Sequence, residues 1–190
     1  AATMEDQIAP EIMDERLQRL QALTVQHIVF HAEWREIDLV EGIWKIPAGK
    51  MKSRRPHAVP LSKQVISLLT DLAEMLDHKG YVFPSTRSFT RPMSENALNA
   101  AFRRMGFSKD EVTAHGLRAT ASTFLNESGL WNPDVIERAL AHGDSNAVRG
   151  AYHRGKHWEE RVRMAQWWSD HLDQLRLGGN VVKLESTAAA

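Results

Sequence analysis

One of the two tyrosines of the chain lies in a strongly basic stretch, RGAYHRGKH, which covers residues 149–157. Its nearest charged neighbours are Arg149 and Arg154, and His153, Lys156 and His157 also follow it. A phenol becomes a useful nucleophile at neutral pH only beside a base or in a positive field. Tyr152 is therefore either an amphipathic side chain that covers a basic surface, or a nucleophile directed at a phosphate that these cations hold.

A second group of residues that could bind an anion is found in TAHGLRAT, where His115 and Arg118 stand three positions apart. Thr113 is a helix-capping residue type, so both side chains are expected near one helix N-terminus, on neighbouring positions. The free N–H groups and the dipole at that end favour an anion. A capping histidine and a surface arginine explain the same residues equally well.

Two further segments carry residues that could act on a phosphate. His142 precedes Tyr152 by ten positions, and alone it is more typical of a packed or capping histidine than of a catalyst. Lys52, Arg54 and Arg55 lie in the basic stretch AGKMKSRRP. That stretch is either a solvated basic loop or a surface that contacts DNA.

The elements that position these residues begin with a small sheet. EIDLVEGIWKIP, residues 36–47, alternates apolar and polar residues around the turn signal Glu41-Gly42, which predicts a hairpin. HAVPL, residues 57–61, predicts a third strand. The basic stretch then connects the second and third strands of a three-stranded antiparallel sheet.

The rest of the chain is predicted to be mostly helical, so the fold class is mostly α with a small three-stranded antiparallel sheet (α+β). Helix composition extends over residues 6–30, YVFPS is a short extended piece, and NVVKL near the C-terminus could be a short strand. Capping residues and glycines predict further helices at these places: from Ser62 towards Gly80, Ser94–Met105, Thr113–Ser128, from Asn132 and Pro133, and Trp158–Arg176.

Composition sets the broad class. The chain has 190 residues, of which 43% are hydrophobic and 25% charged, enough for one domain with a sizeable core. Cysteine is absent, and there is neither a membrane-length apolar run nor a signal-peptide pattern, so a cytoplasmic protein is expected. The 24 basic and 24 acidic residues balance. Binding of nucleic acid by overall charge is therefore disfavoured, while a local basic face is allowed.

Taken in order, the chain shows a hairpin followed by a lysine, then His-x-x-Arg on a helix, then a histidine, then a tyrosine. The segments AEWREIDL, MKSRRPHAVPLS, HGLRATAST, NPDVIERALAH and AYHR, with the later EER and QWW, carry the similarity. Together they resemble the catalytic domain of tyrosine-type site-specific recombinases, the integrases of phages and genomic islands. The resemblance runs from about residue 32 to residue 173.

The resemblance implies DNA integration and recombination by an enzyme with a phosphotyrosyl intermediate. Tyr152 would attack the scissile phosphate to form a 3′-phosphotyrosyl bond, and Arg118 would hold the non-bridging oxygens. His115 would be an acid/base partner and His142 a hydrogen-bond donor to the phosphate. Lys52 would protonate the leaving 5′ oxygen. Because the covalent link conserves the bond energy, no metal, nucleotide or other cofactor is expected.

The partners implied are double-stranded DNA carrying attachment sites and other integrase protomers on that DNA, with no membrane. Contacts to DNA are expected from the arginines of the two basic stretches: Arg54, Arg55, Arg149 and Arg154. Residues 1–178 would form a single catalytic domain, a fragment without the family's N-terminal DNA-binding domains. Residues 179–190 would be a C-terminal tail that docks on its own body or on a neighbouring protomer. The sequence does not specify the attachment site.

One position departs from the family pattern. The family has a second catalytic arginine, in an Arg-x-x-Glu pattern nine residues before the Trp of AEW, and counting back from Trp34 gives Val25. Loss of one preorganised donor to a transferring phosphate typically costs about a hundredfold in rate. The alternative hypothesis is thus a catalytically decayed DNA-binding remnant of an integrase.

A metal-dependent hydrolase is a rival from another class, because the chain has nine histidines. The pairs His27/His31 and His153/His157 have the i, i+4 spacing of metal ligands on a helix. HIVFH lacks the glutamate that should follow the first histidine of the zinc-protease pattern. Neither pair has an obvious carboxylate as third ligand, so no metal site is predicted.

Overall fold

The computed structural model describes five stretches of the chain: residues 26–76, 80–85, 87–94, 96–141 and 157–177. In these stretches the fold is mostly helical with a small antiparallel three-stranded sheet, which confirms the predicted class. The predicted helix over residues 6–25 and the strand at NVVKL lie outside the described residues.

The elements of the described stretches follow the chain in a simple order. The helices are α1 (Gln26–Phe30), α2 (Lys63–Leu76), α3 (Ala97–Arg104), α4 (Ala114–Glu127), α5 (Pro133–Ala139) and α6 (Trp158–Arg176). The strands are β1 (Ile37–Asp38), β2 (Ile43–Ile46), β3 (His57–Pro60), β4 (Pro84–Ser85) and β5 (Ser88–Pro92). Single 3-10 turns precede β1, at Trp34–Glu36, and follow β2, at Ala48–Lys50.

The three-stranded sheet has the order β1-β2-β3 and is antiparallel throughout. Trp44 and Ile46 of β2 are buried and Lys45 between them is exposed, as the alternating sequence predicts. Gly42 in the β1–β2 turn has φ +64°, a conformation that glycine adopts without strain. The hairpin and the third strand are therefore confirmed.

A second sheet, formed by β4 and β5, was not predicted from the sequence. YVFPS was expected to be an isolated extended piece, but Pro84 pairs with Pro92 and Ser85 with Ser88. Strand β5 is exposed at its three central residues, so its sequence lacks the apolar alternation by which a strand is recognised.

The helix starts follow from capping side chains at three of the predicted sites. Thr113 Oγ1 accepts a hydrogen bond from Gly116 N at 2.9 Å, and Asn132 Oδ1 accepts one from Asp134 N at 2.9 Å. Ser62 Oγ accepts one from Val65 N at 3.3 Å. Each bond satisfies a backbone donor that the helix itself leaves free.

The hydrophobic core consists of two clusters. The first joins the three-stranded sheet to α2 and α3 and includes Trp44, Leu69 and Phe102. The second joins the C-terminal half of α4 to α5 and α6. Helix α4 contributes to both, with Ala114 in the first cluster and Leu125 in the second.

Helix α6 buries the face that carries Met164, Ala165, Trp168 and Ser169. Val162 and Leu175 of the same helix are apolar but are 41% and 39% exposed. The face is set by two neighbours, since α6 contacts α5 on one side and α2 with β3 on the other.

Polar side chains join α6 to the start of α2, and we call these contacts the α2–α6 seam. The buried hydroxyls of Ser62 and Ser169 are 2.7 Å apart. Gln64 Nε2 donates to Asp170 Oδ1 at 2.6 Å and to Asp173 Oδ2 at 2.9 Å. The seam fixes the last helix against the element that follows the sheet.

Candidate active site

Arg118 is a half-buried guanidinium on α4. Its Nη2 donates to the carbonyl of Leu140, just after α5. Its Nη1 is buried and finds no hydrogen-bond partner among the described residues. Burial lowers the pKa of Arg118, which Glu137 counteracts by its negative charge. The guanidinium is thus oriented by one carbonyl and keeps donor capacity for an acceptor from outside.

His115 lies in the first turn of α4, three positions before Arg118, as predicted. The two residues differ in burial: His115 is exposed, whereas Arg118 is half-buried against α5. Gly116 lies between them and allows the Thr113 hydroxyl to approach the helix backbone closely. A Cβ at this position would lie 3.0 Å from Thr113 Oγ1. The helix start therefore presents His115 to solvent and Arg118 to the interior edge of the site.

The loop between β2 and β3 carries the predicted lysine and two predicted DNA-contacting arginines. Lys52, Arg54 and Arg55 are all exposed. Arg54 has φ +51°, in the left-handed region that non-glycine residues seldom adopt. Exposure leaves all three cations available to a partner in solution and agrees with both interpretations of the stretch.

The start of this loop is fixed by Lys50. Its Nζ donates to Glu33 Oε1 at 2.8 Å, to Glu36 Oε1 at 2.5 Å and to the His31 carbonyl at 2.6 Å. Glu36 is 6% exposed, and its Oε2 accepts a bond from Trp44 Nε1 at 3.2 Å. We call this arrangement the Lys50 clamp; it anchors the backbone two residues before Lys52.

The other end of the loop reaches a cluster of cationic and titratable side chains. Arg161 of α6 donates from Nη2 to the Ala58 carbonyl of β3 at 2.5 Å. Burial, reinforced by Arg161 and Arg118, lowers the pKa of His57 to about 4. Burial and then the charge of Arg138 lower the pKa of Arg161 to about 10. We call His57, Arg118 and Arg161 the cation cluster.

The loop that carries Lys52 ends in the neighbourhood of Arg118. Its last residue, His57, is close enough to Arg118 for that guanidinium to help lower the pKa of the imidazole. Four predicted residues lie outside the described stretches, as does Val25: Tyr152, His142, Arg149 and Arg154.

Sequence reasoning missed three residues of this region. His57 was given no role in the predicted site, and nothing in the sequence marks Lys50 among the other cations of its loop. Arg161 did have a signal, because it stands in helical phase with the buried Ala165 and Trp168. An arginine at a core-facing position needs partners and so merits a search for them.

The described residues hold no group of three histidine, cysteine or acidic side chains placed to bind a metal ion. The side chains of His27 and His153, one from each predicted pair, lie outside the description. In the same stretches of chain, no helix combines the length and the apolar character that crossing a membrane requires.

Comparison with known proteins gives consistent matches. The model of the phage integrase family matches residues 7–157. The integrase of Enterobacteria phage P4 is 43% identical over 159 residues, which cover 76% of this chain and 36% of that protein. Prophage integrase IntA of Escherichia coli strain K12 is 42% identical over 161 residues, covering 78% and 38%. The chain thus spans little more than a third of the length of these relatives.

Two solved structures share the fold. The integrase from mycobacterium phage Brujita superimposes with a TM-score of 0.62 at 18% identity, covering 96% of this chain and 58% of that one. The XerA recombinase gives a TM-score of 0.54 at 19% identity, covering 81% and 64%. At these identities the likeness establishes the architecture, and the arrangement of the described helices and sheet agrees with it.

Proposed function

Since the chain belongs to the phage integrase family, we propose that it is the catalytic part of an enzyme that recombines DNA at specific sites. The observation that carries the proposal is the state of Arg118. One edge of its guanidinium is fixed on the Leu140 carbonyl, and the buried Nη1 has no acceptor in the part of the chain that the structure describes. A preorganised donor of this kind suits the negative charge that develops on a phosphate under attack.

The proposed chemistry is a transesterification. The Tyr152 oxygen forms a bond to the scissile phosphorus while the bond to the 5′ oxygen breaks, which gives a 3′-phosphotyrosyl link and a free 5′ end. His115 takes the phenol proton of Tyr152, and Lys52 gives a proton to the leaving 5′ oxygen. Arg118 and His142 donate to the non-bridging oxygens. Attack by a 5′-hydroxyl reverses the steps, so neither a metal nor a nucleotide cofactor takes part.

The exposed loop supports the part proposed for Lys52. Its side chain extends from a segment anchored at both ends, by the Lys50 clamp and by pairing of β3. Anchoring limits the positions that the ammonium group can sample, which favours proton transfer to a defined atom. Arg54 and Arg55 on the same loop would contact backbone phosphates, as would Arg149 and Arg154.

The proposed partners are double-stranded DNA with attachment sites and other integrase protomers bound to it, in the bacterial cytoplasm. Residues 1–178 would act as the catalytic domain and residues 179–190 as its tail. The formal net charge of zero means that affinity comes from a few local cations. Binding by the isolated chain should therefore be weak and should fall steeply with salt.

A second candidate is a remnant that binds DNA without cleaving it. Val25 favours it, because it occupies the place of an arginine in the family pattern. This reading keeps the fold and the DNA contacts and differs only in whether Tyr152 reacts.

Covalent trapping tests the proposal. The chain is incubated with nicked duplex DNA from the attachment site of its element, and a protein–DNA band that survives detergent is sought. We expect a band that Tyr152→Phe abolishes, and a stronger one from Val25→Arg. A band from Val25→Arg alone would support the decayed form. No band from any version, with DNA binding intact, would refute cleavage by this chain.

A further inference from the structure

Among the described residues, three polar atoms of the cation cluster are buried and find no hydrogen-bond partner: His57 Nε2, Arg118 Nη1 and Arg161 Nε. They belong to three elements that are distant in sequence, namely β3, α4 and α6. Each of the three residues is partly exposed, although these three atoms are themselves buried. The cluster therefore gathers unsatisfied polar groups from three elements.

Such an arrangement is costly for a protein without a ligand. A buried donor without an acceptor loses its hydration and gains nothing in return. Two guanidiniums near one imidazole also repel its protonated form, and burial with both arginines lowers the pKa of His57 to about 4. The charges that act on the two guanidiniums differ: Glu137 partly offsets the effect of burial on Arg118, whereas Arg138 adds to it on Arg161.

A purely structural role for Arg161, as a tether that joins α6 to β3, explains only part of its surroundings. Its Nη2 bond to the Ala58 carbonyl would hold α6 on the sheet. That bond leaves Nε without a partner, and a tether requires neither the nearby Arg118 nor His57. An acceptor shared by the three groups accounts for all of them, and a tetrahedral oxyanion offers several acceptor oxygens at once.

We propose that His57, Arg118 and Arg161 together bind one phosphate of the DNA backbone, with Arg161 as the second guanidinium on that phosphate. The assignment rests on the proposed function and deepens it. It supplies, from α6, the type of donor that the sequence lacks at Val25. A planar guanidinium can donate two parallel bonds to one phosphate, which lysine cannot do.

Inorganic phosphate is the probe for the first experiment. The His57 imidazole is followed by NMR at neutral pH while phosphate is added to the full chain. We expect its resonances to move to a saturating value that gives a Kd. Arg161→Gln should weaken binding about tenfold to a hundredfold, since it removes charge-assisted bonds. Arg161→Lys should keep more affinity than Arg161→Gln.

Arg163→Gln is the matched control, because Arg163 is an exposed arginine two positions further along the same helix. It should leave the Kd unchanged. Thermal unfolding of each variant separates loss of the site from loss of the fold, and Arg161→Lys provides a folded comparison if Arg161→Gln is destabilised. A His57 signal that phosphate does not move, or an equal Kd in Arg161→Gln and Arg163→Gln, would overturn the proposal.

A duplex oligonucleotide then distinguishes backbone phosphate from free phosphate. Duplex DNA should compete with inorganic phosphate for the His57 response; absence of competition would overturn the assignment to DNA. Failure of covalent trapping together with normal phosphate binding would count against cleavage and not against this site. The two proposals can therefore fail separately.

Discussion

At the scale of single residues, the site depends on two guanidiniums that act on one imidazole. Among the described residues, Arg118 Nη1 and Arg161 Nε are buried without a hydrogen-bond partner, and both guanidiniums help to lower the pKa of the half-buried His57. Under these conditions a phosphate ligand should stabilise the folded protein, and protonation of His57 should destabilise it. The same side chains should therefore influence stability as well as binding.

The folded protein should lose stability in acid through His57. Its pKa is about 4 in the folded state and 6.5 ordinarily. Between about pH 6.5 and pH 4 the His57 side chain is protonated in the unfolded chain but not in the folded one. Stability therefore falls as the pH is lowered through this range. The total is roughly 3 kcal/mol at 1.36 kcal/mol per pKa unit. Urea unfolding across this range should show a shallower acid loss in His57→Gln; identical slopes in the two proteins would contradict the prediction.

The sequence predicts a site residue when its role depends on neighbours in the chain, and misses it when the role depends on tertiary contacts. His115 and Arg118 were found because three-residue spacing at a capped helix start is visible in sequence. The field on His57 was not, because it arises from α4 and α6, whose approach to β3 is a tertiary event. The sequence likewise cannot predict that Arg161 Nε lacks a hydrogen-bond partner among the described residues, because that depends on how the helices pack.

At the scale of elements, the β2–β3 loop is held by the Lys50 clamp. Glu36 is almost fully buried, and Lys50 and Trp44 bond to its two carboxylate oxygens. Removing the cation would leave a buried carboxylate with one donor fewer, which costs far more than breaking an exposed pair. The clamp should thus stabilise the sheet and position the loop.

Lys50→Met should destabilise the domain by about 3 kcal/mol, because the Glu36 charge stays buried without its main partner. Lys45→Met is the matched control. Lys45 bonds to Asp38 at 3.0 Å, but its side chain is 62% exposed, so the loss should stay below about 1 kcal/mol. Chemical denaturation measures both. Equal losses in the two variants would show that the clamp adds no more than a surface pair.

The elements were predicted well where the signal is local. The bounds of α6 match the predicted 158–176, and α4 begins after its cap at Thr113. Strands β4 and β5 show the limit, since their pairing follows from the path of the chain and not from apolar alternation. The predicted start at Ser94 is early: α3 begins at Ala97 after Asn96, and Ser94 Oγ accepts a hydrogen bond from Asn96 N at 3.4 Å.

At the scale of the whole molecule, the described residues form two hydrophobic clusters joined by α4 and by the α2–α6 seam. Helix α2 packs in the first cluster and α6 in the second, so the Ser62–Ser169 bond connects them directly. Two clusters coupled in this way should unfold together.

Ser169→Ala tests the coupling. It deprives the buried Ser62 hydroxyl of its partner at 2.7 Å and should cost about 1 to 2 kcal/mol. Amide hydrogen exchange should record the same loss at Trp44 and at Leu125, one residue from each cluster. Ser67→Ala, at an exposed serine of α2, should change neither. A loss confined to Leu125 would show that the clusters unfold independently.

The packing of helix α4 also determines which positions of this sequence can change over generations while the fold is kept. Ala114 packs in one cluster and Ala121 and Leu125 pack in the other, so these apolar positions of α4 are required by the fold whether or not DNA is cut. A gene that drifts away from activity while its product is still selected for folding will keep them. Substitutions should accumulate first at exposed positions such as His115 and Lys52, because replacing these side chains does not disturb the core.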